Sequence, residues 1–252
     1  MKPLPICFYG HRRRKLAVLA IQRLKELLKF TGYEPRFILG CCGTDEDYIR
    51  KVQDAAGDWL YRTLPMRQPD PSLNNQLNQA MNDSLRLAFS ISPVVLRMED
   101  DWILQKELDI GPWCRLLEED EGVCGVKLGQ MIIEPDRLKP YRPDLGLDWI
   151  DYPPDSAYPV NNQIMLVHRR LYGVTGWYRE DMTIDEAEYS LGRVFRVGTH
   201  DFKDGPKVLW PHGAQTSFIW SPDQYFVHAG ASTLGHRVFT DNIPPEYLPY
   251  QE

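Results

Sequence analysis

The chain has no long apolar run. None of its hydrophobic stretches approaches the roughly 20 residues of a membrane span, so no transmembrane helix is expected. The first residues, Met1 to Phe8, are interrupted by Pro3 and Pro5 and carry too short an apolar stretch for a signal peptide. Cysteine is scarce: there are 5, an odd number, with no Cys-x-x-Cys spacing. That excludes a disulfide framework and a thiolate zinc site, and makes a reducing, cytoplasmic setting the expectation, with Cys41 and Cys42 as buried thiols near a strand end. Excess positive charge is absent too. The net charge of −6 removes any global attraction to nucleic acid or anionic lipid, leaving one local basic run, His11-Arg12-Arg13-Arg14-Lys15. No repeat period appears, which excludes a solenoid. Gly-x-Gly-x-x-Gly is missing after the first expected strand, where Tyr9-Gly10-His11-Arg12 stands, and no Gly-x-x-x-x-Gly-Lys-Ser/Thr loop occurs. Dinucleotide enzymes and P-loop NTPases are therefore disfavoured.

What is present is a composition able to bury a sizeable core: 43% of 252 residues are hydrophobic. Ile6 to Tyr9 reads as a first strand closed by Gly10. Leu16, Ala20, Leu24, Leu27 and Leu28 repeat at helical spacing up to Thr31-Gly32. Arg36 to Leu39 predicts a second strand, Asp47 to Ala56 a helix, Trp59 to Leu64 a third strand, and Leu73 to Phe89 a helix with Leu77, Met81, Leu85 and Ala88 on one face. Strands alternating with helices in this way predict a right-handed, parallel βαβ layer. The second half is less regular. Gln105 to Leu117 predicts a helix interrupted at Gly111-Pro112. Val123 to Leu128 and Gln130 to Ile133 predict a hairpin or bend, and Glu134 to Pro159 a long irregular segment of the kind that is usually functional. Gln163 to His168 predicts a strand, Leu171 to Gly173 a short helix, and Thr183 to Val197 a helix burying Ile184, Leu191, Val194 and Phe195. Short strands and His212, His228 and His236 fill the tail.

The most informative stretch is Val94-Val95-Leu96-Arg97-Met98-Glu99-Asp100-Asp101-Trp102. A buried strand runs into three consecutive carboxylates, which repel one another unless a positive charge joins them. At the carboxyl end of an open α/β sheet they border the ligand crevice. A hard divalent cation that also holds a phosphate offsets the repulsion most simply; a solvated acidic turn is the plainer alternative.

In their order along the chain these features resemble a GT-A glycosyltransferase, in the style of the inverting nucleotide-sugar enzymes. Tyr9-Gly10-His11-Arg12 stands where the family sets residues against uracil and ribose. Gly43-Thr44-Asp45 is similar to its acidic turn after strand two, and Glu99-Asp100-Asp101 to an E-D-D form of its D-x-D motif. Gly176-Trp177 followed by Asp185-Glu186 resembles its Gly-Trp turn and following acids. The resemblance implies an α/β/α sandwich with a mostly parallel central sheet and an irregular acceptor-side region. It implies one domain over residues 1–252, with residues 1–102 as nucleotide-binding half and 103–252 as acceptor-binding half. It implies Mn²⁺ or Mg²⁺ on Asp101, with His228 as a further ligand ahead of His212. Glu99 and Asp100 would hold ribose or sugar hydroxyls; Tyr9, Gly10, His11, Arg12 and Asp45 would line the nucleoside. Asp185, ahead of Glu186, would be the base that activates the acceptor hydroxyl.

Each assignment has a structural alternative. Asp185, Glu186 and Glu188 after Thr183 suit a helix N-terminus without catalysis. Arg13 to Lys15 suit a solvated helix start, and a lone histidine a hydrogen-bonded core residue. Trp102, Trp149, Trp177 and Tyr178 suit plain core as well as sugar stacking, and Asn161-Asn162-Gln163 suit a turn as well as sugar contacts. The function expected is transfer of a sugar from a nucleotide-diphosphate sugar, a UDP-sugar first, to an acceptor that is a small molecule, a glycan, a protein or a modified base. A sugar-nucleotide pyrophosphorylase, or a nucleotide- or carbohydrate-binding protein without turnover, is the alternative.

Overall fold

Period-two alternation in the first strand sets the two faces of the molecule. In β1 (Lys2–Gly10) Leu4, Ile6 and Phe8 enter one core, while Cys7 and Tyr9 enter the other. This computed structural model describes residues 1–10, 13–41, 45–64, 76–129, 138–150, 163–200, 207–212, 223–230, 232–234, 237–239 and 243–250.

The chain continues through α1 (Arg14–Leu27), β2 (Leu28–Lys29), β3 (Tyr33–Cys41), α2 (Glu46–Ala56), β4 (Leu60–Thr63), α3 (Gln76–Ile91), β5 (Val94–Glu99) and β6 (Trp102–Leu104). Then come β7 (Leu108–Asp109), α4 (Gly111–Glu119), β8 (Val123–Lys127), β9 (Leu138–Arg142), β10 (Leu147–Ile150), β11 (Met165–His168), α5 (Arg170–Thr175) and α6 (Ile184–His200). Short strands β12 (Lys207–Pro211), β13 (Phe226–His228), β14 (Ser232–Leu234) and β15 (Arg237–Phe239) close the order.

Among the described residues nine strands form one sheet in the order β4-β3-β1-β5-β11-β8-β12-β10-β9. The first four are mutually parallel, β11 is antiparallel to both β5 and β8, and β12 is again parallel to β8. The sheet is therefore mixed but largely parallel. Helices α1, α2 and α4 cover one face and α3, α5 and α6 the other, giving the expected three layers. After β4 the chain returns to the other side of β1. The carboxyl ends of β1 and β5 thus flank the point where the strand order reverses, which is where open α/β sheets bind ligands.

Three expectations for the second half change. The helix expected from Gln105 starts at Gly111, because Pro112 occupies its first turn, where a missing N–H is harmless. Residues 105–110 instead carry β7, which pairs with β2. Strand β8 has both its edges taken, by β11 and β12, and Gln130 to Ile133 lie outside the described residues. Within the segment expected to be irregular, β9 and β10 form an antiparallel pair at the sheet edge. In α6, Leu191 is buried as expected but Val194 is 43% exposed.

Helix α1 lacks a side-chain cap and has no acid in its first turn. A missing cap costs about 1 kcal/mol. Burial of Leu16, Ile21 and Leu24 contributes about 1.5–3 kcal/mol for each side chain, so packing rather than capping holds this helix.

His168, at the end of β11, is 8% exposed. Its Nδ1 accepts the Arg170 backbone N–H at 3.1 Å. Burial, and then the charges of Arg170 and Arg169, lower its pKa from 6.5 to about 4. Between those values the unfolded chain binds a proton that the folded chain does not, so stability falls as pH drops through that window and levels off below it. Urea denaturation from pH 7 to pH 4 should show a loss of about 2 kcal/mol from this group, and His168→Gln should remove that part of the slope. An unchanged slope in the variant would rule His168 out as the source.

Candidate active site

Strand β5 delivers Glu99, Asp100 and Asp101 to the reversal point, and a tight turn sends the chain back as β6. Asp100 and Asp101 are 2% and 4% exposed. Two carboxylates so deeply buried need partners, and the structure supplies them from three places in the chain.

Arg13, directly before α1, places its guanidinium against Asp101 Oδ2 and lies 3.7 Å from Asp100 Oδ1. His228 Nε2 lies 3.2 Å from the same Asp101 oxygen. It is held there because β13 pairs with β6, setting His228 opposite Trp102, and because the Ala229 N–H donates to the Asp101 carbonyl at 2.8 Å. Burial opposes ionisation of Asp101, but His228 and Arg13 outweigh it and hold the carboxyl well below the usual carboxylate range. Asp101 Oδ1, although buried, accepts no hydrogen bond among the described residues. Gly230 closes the cluster: a Cβ there would stand 2.2 Å from Asp101 Oδ2 and 2.7 Å from Arg13 Nη1.

Asp100 is fixed differently. Its Oδ2 accepts the Tyr48 hydroxyl at 3.1 Å. Tyr48 belongs to α2 and reaches the acid only because Gly10, at the end of β1, has no side chain; a Cβ at Gly10 would lie 1.5 Å from the Tyr48 hydroxyl oxygen. Glu99 stands opposite Tyr9 in the β1–β5 register. Burial, followed by the charges of Asp101, Glu188 and Asp100, pushes its carboxyl well above the usual range.

The other expected residues fall into three groups. Tyr9 is 2% exposed, its ring close under Gly40. Asp45 caps α2 by accepting the Tyr48 N–H at 2.8 Å and pairs with Arg14 at 2.5 Å. Glu186 closes a capping box with Thr183, accepting its N–H at 3.0 Å on the exposed side of α6. His212 is exposed and pairs with Asp148 at 3.2 Å. Trp102 is fully buried beneath His228, with ring centroids 5.0 Å apart, while Trp177 stacks on Tyr172 at 5.2 Å. His11, Arg12, Asn161, Asn162, His236 and the side chain of Asp185 lie outside the described residues.

Sequence reasoning missed Arg13, Tyr48 and Gly230. A signal existed for Arg13, since a buried acid turn demands a cation and the basic run follows β1. It also missed the charges beneath the site. Arg97 of β5 is fully buried and donates to the Tyr172 hydroxyl at 3.0 Å and to that of Tyr178. Lys127 of β8 is fully buried on the same face, its pKa well below the ordinary value through burial and Arg97. Glu188 of α6 acts on Arg97, Lys127 and Glu99 alike.

For a metal, the donor set is small. Among the described residues no group of three or more His, Cys, Asp or Glu side chains forms a cage. A pair consisting of the Asp101 carboxylate, with its buried open oxygen, and the neighbouring His228 imidazole does suit a Mg²⁺-like ion, which draws its other ligands from water and phosphate.

No family model matches the sequence, and no curated protein does. Solved structures do. S. aureus TarS superposes with a TM-score of 0.54 at 11% identity, over 86% of this chain and 37% of that one. TarS 1–349 in complex with UDP gives 0.52 at 11% identity, over 85% of this chain and 59% of that one. The mannosyltransferase PcManGT from Pyrobaculum calidifontis, solved with GDP-Man and Mn²⁺, gives 0.49 at 14% identity, over 84% and 55%. The fold is GT-A-like. This chain spans less than two thirds of the length of these GT-A neighbours, and no helix among its described residues is long and apolar enough to cross a membrane.

The wedge of Tyr48 between Gly10 and Asp100 is testable by a double-mutant cycle. Gly10→Ala should cost about 1–3 kcal/mol in urea denaturation and little more in a Tyr48→Ala background, a coupling of at least about 1 kcal/mol. Equal costs in the two backgrounds would show that the contact does not exist.

Proposed function

We propose that the chain is a glycosyltransferase that moves a hexose from a nucleoside-diphosphate sugar, a UDP-sugar first, to an acceptor hydroxyl, with inversion at the transferred carbon. The observation that carries this reading is the buried Asp101 carboxylate at the strand-order reversal, one oxygen shared by Arg13 and His228 and the other open. Support comes from the GT-A-like fold, and from UDP in the complex of a structure that shares it.

In this reading Asp101 and His228 would hold Mn²⁺ or Mg²⁺. The ion supplies charge stabilisation to the departing diphosphate. Asp100, immobilised by Tyr48, accepts hydrogen bonds from ribose hydroxyls. The start of α1, which has no side-chain cap, favours an anion beside the acids. The acceptor proton passes to a carboxylate in the first turn of α6, which we assign to Asp185; Glu186 is committed to its capping box. Transfer separates the sugar carbon from the diphosphate oxygen as the acceptor oxygen bonds to it.

Calorimetric titration with UDP should show binding that requires Mn²⁺. Asp101→Asn should weaken it by at least about 100-fold, equivalent to about 2.7 kcal/mol. Asp185→Asn should leave that binding intact and lower transfer by about 100- to 10,000-fold. Unaltered Mn²⁺-dependent binding in Asp101→Asn would remove the ligand assignment. Release of pyrophosphate instead of UDP during turnover would identify a nucleotidyltransferase.

A further inference from the structure

Between α5 and α6 the chain runs from Gly176 to Thr183 without helix or strand. Gly176, at φ +76°, turns it out of α5. Tyr178 is 2% exposed, so its backbone N–H and C=O need partners from within the protein. Two asparagines of α3 supply them. Asn82 accepts the Tyr178 N–H on Oδ1 at 3.1 Å and donates from Nδ2 to the Tyr178 carbonyl at 2.8 Å. Asn78, one helical turn earlier on the same face of α3, donates from Nδ2 to the carbonyls of Arg179 at 2.9 Å and Met182 at 3.0 Å. The side chain of Tyr178 is held as well: its hydroxyl accepts from Arg97 of β5. The segment leading into α6 is thus fixed to α3 by its backbone and to β5 by one side chain.

Stability alone explains these amides poorly. Asparagine in a helix costs about 0.7 kcal/mol relative to alanine, and both residues stand inside α3, buried. Asn78 Oδ1 accepts no hydrogen bond among the described residues, and an unmet buried acceptor costs about 1–3 kcal/mol. Helix α6 does not need them in order to form, since Thr183 and Glu186 close a capping box at its start. What the amides add is position. Backbone groups that each have a fixed partner specify one placement of the segment, whereas an apolar contact tolerates sliding. The placement bears on the acids, because α3 connects two strands that run in the same direction, β4 and β5. Its first turns therefore lie at the carboxyl edge of the sheet, where β5 delivers Glu99, Asp100 and Asp101.

We propose that Asn78 and Asn82 are positioning residues for the acceptor step: by gripping residues 178–182 they set where the first turn of α6, which carries Asp185, stands relative to the acids of β5. This inference rests on the assignment of Asp185 as base made above. It gives the two amides a definite signature. A residue that acts through Asp185 affects transfer of the acceptor proton and leaves donor binding alone. Once Asp185 is removed, it has nothing left to affect.

The test reads UDP release from UDP-glucose, UDP-galactose or UDP-N-acetylglucosamine in the presence of Mn²⁺, with water as acceptor, beside calorimetry of UDP and Mn²⁺. Asn82→Leu, which keeps a branched side chain and removes both hydrogen bonds, should lower kcat about 10- to 100-fold and leave UDP binding as in the parent. Asn78→Leu should act in the same direction. Combined with Asp185→Asn, Asn82→Leu should turn over no more slowly than Asp185→Asn alone. Amide hydrogen exchange over residues 177–187 should quicken about tenfold or more in either leucine variant, with residues 94–104 unchanged. Asn82→Asp, which keeps the acceptor for the Tyr178 N–H and loses the donor, carries the test if Asn82→Leu does not fold. A kcat within about twofold of the parent, a loss of kcat matched by a loss of UDP binding, unchanged exchange, or costs that multiply in the double variant overturns the inference while the donor reading stands. If Asp185→Asn alone turns over at the parent rate, the base assignment fails; if the parent releases UDP from none of these sugars, the donor reading fails.

Discussion

The constraint on which the rest of this structure depends is the burial of one negative charge. Asp101 is 4% exposed at the end of a parallel strand, and an isolated carboxylate in such a place would take up a proton rather than remain ionised. Arg13 and His228 prevent that. Each arrives from a distant part of the sequence, one from the start of α1 and the other from a tail strand. The tail is pinned to the turn by the β6–β13 pairing and by the Ala229 hydrogen bond to the Asp101 carbonyl. Losing one partner of such a buried pair costs about 3–5 kcal/mol, because the other charge is stranded. The acid turn therefore holds the first and last parts of the chain in register around one oxygen atom.

Seen from that oxygen, the two small residues at the site have a common physical role. Gly10 leaves space for Tyr48, and Gly230 leaves space for the Arg13–Asp101 pair. In both places the protein brings a polar group to a buried acid by removing a side chain. Neither needs an unusual backbone angle: the positive-φ glycines lie elsewhere, at Gly32, Gly57, Gly146 and Gly176. Tyr48 in turn depends on Asp45, whose capping of α2 fixes the first turn from which Tyr48 projects.

Much of this was legible in the sequence, and the part that was not has a definite cause. Period-two and helical spacing located β1, α1, β3, α2, β5 and α6, because in each the buried face is written in apolar residues. The acids of β5 stood out because like charges at a strand end need an explanation. Spacing could not reveal which distant residue answers them. Arg13 reads as one of several exposed cations at a helix start, and only the fold shows that it turns inward to the acids. The helix expected from Gln105 starts later for a local reason: beside Gly111, Pro112 reads as an interruption, although in a first turn it is a beginning. Strand β9 was hidden in a segment rich in Pro and Asp, because edge strands tolerate such residues, and β10 beside it spans only Leu147–Ile150.

The opposite face of β5 carries the matching half of the electrostatics. Alternation sends Val94, Leu96 and Met98 towards α1 and α4, and Val95 and Arg97 towards α3, α5 and α6. Arg97 and Lys127 sit there fully buried on strands that flank β11. Burying two like charges side by side is unfavourable, and the ammonium of Lys127 registers it by its depressed pKa. Glu188 supplies opposite charge from α6 and acts on Glu99 as well. Such buried networks add little stability over an apolar core of equal volume; their effect here is positional. A shift of α6 away from the sheet would strip both cations of that carboxylate, so the helix bearing Asp185 is tied electrostatically to the strand bearing Asp101. The buried charge thus keeps α6 in register with β5 and β8, and the sheet that separates the two cores is also what couples them.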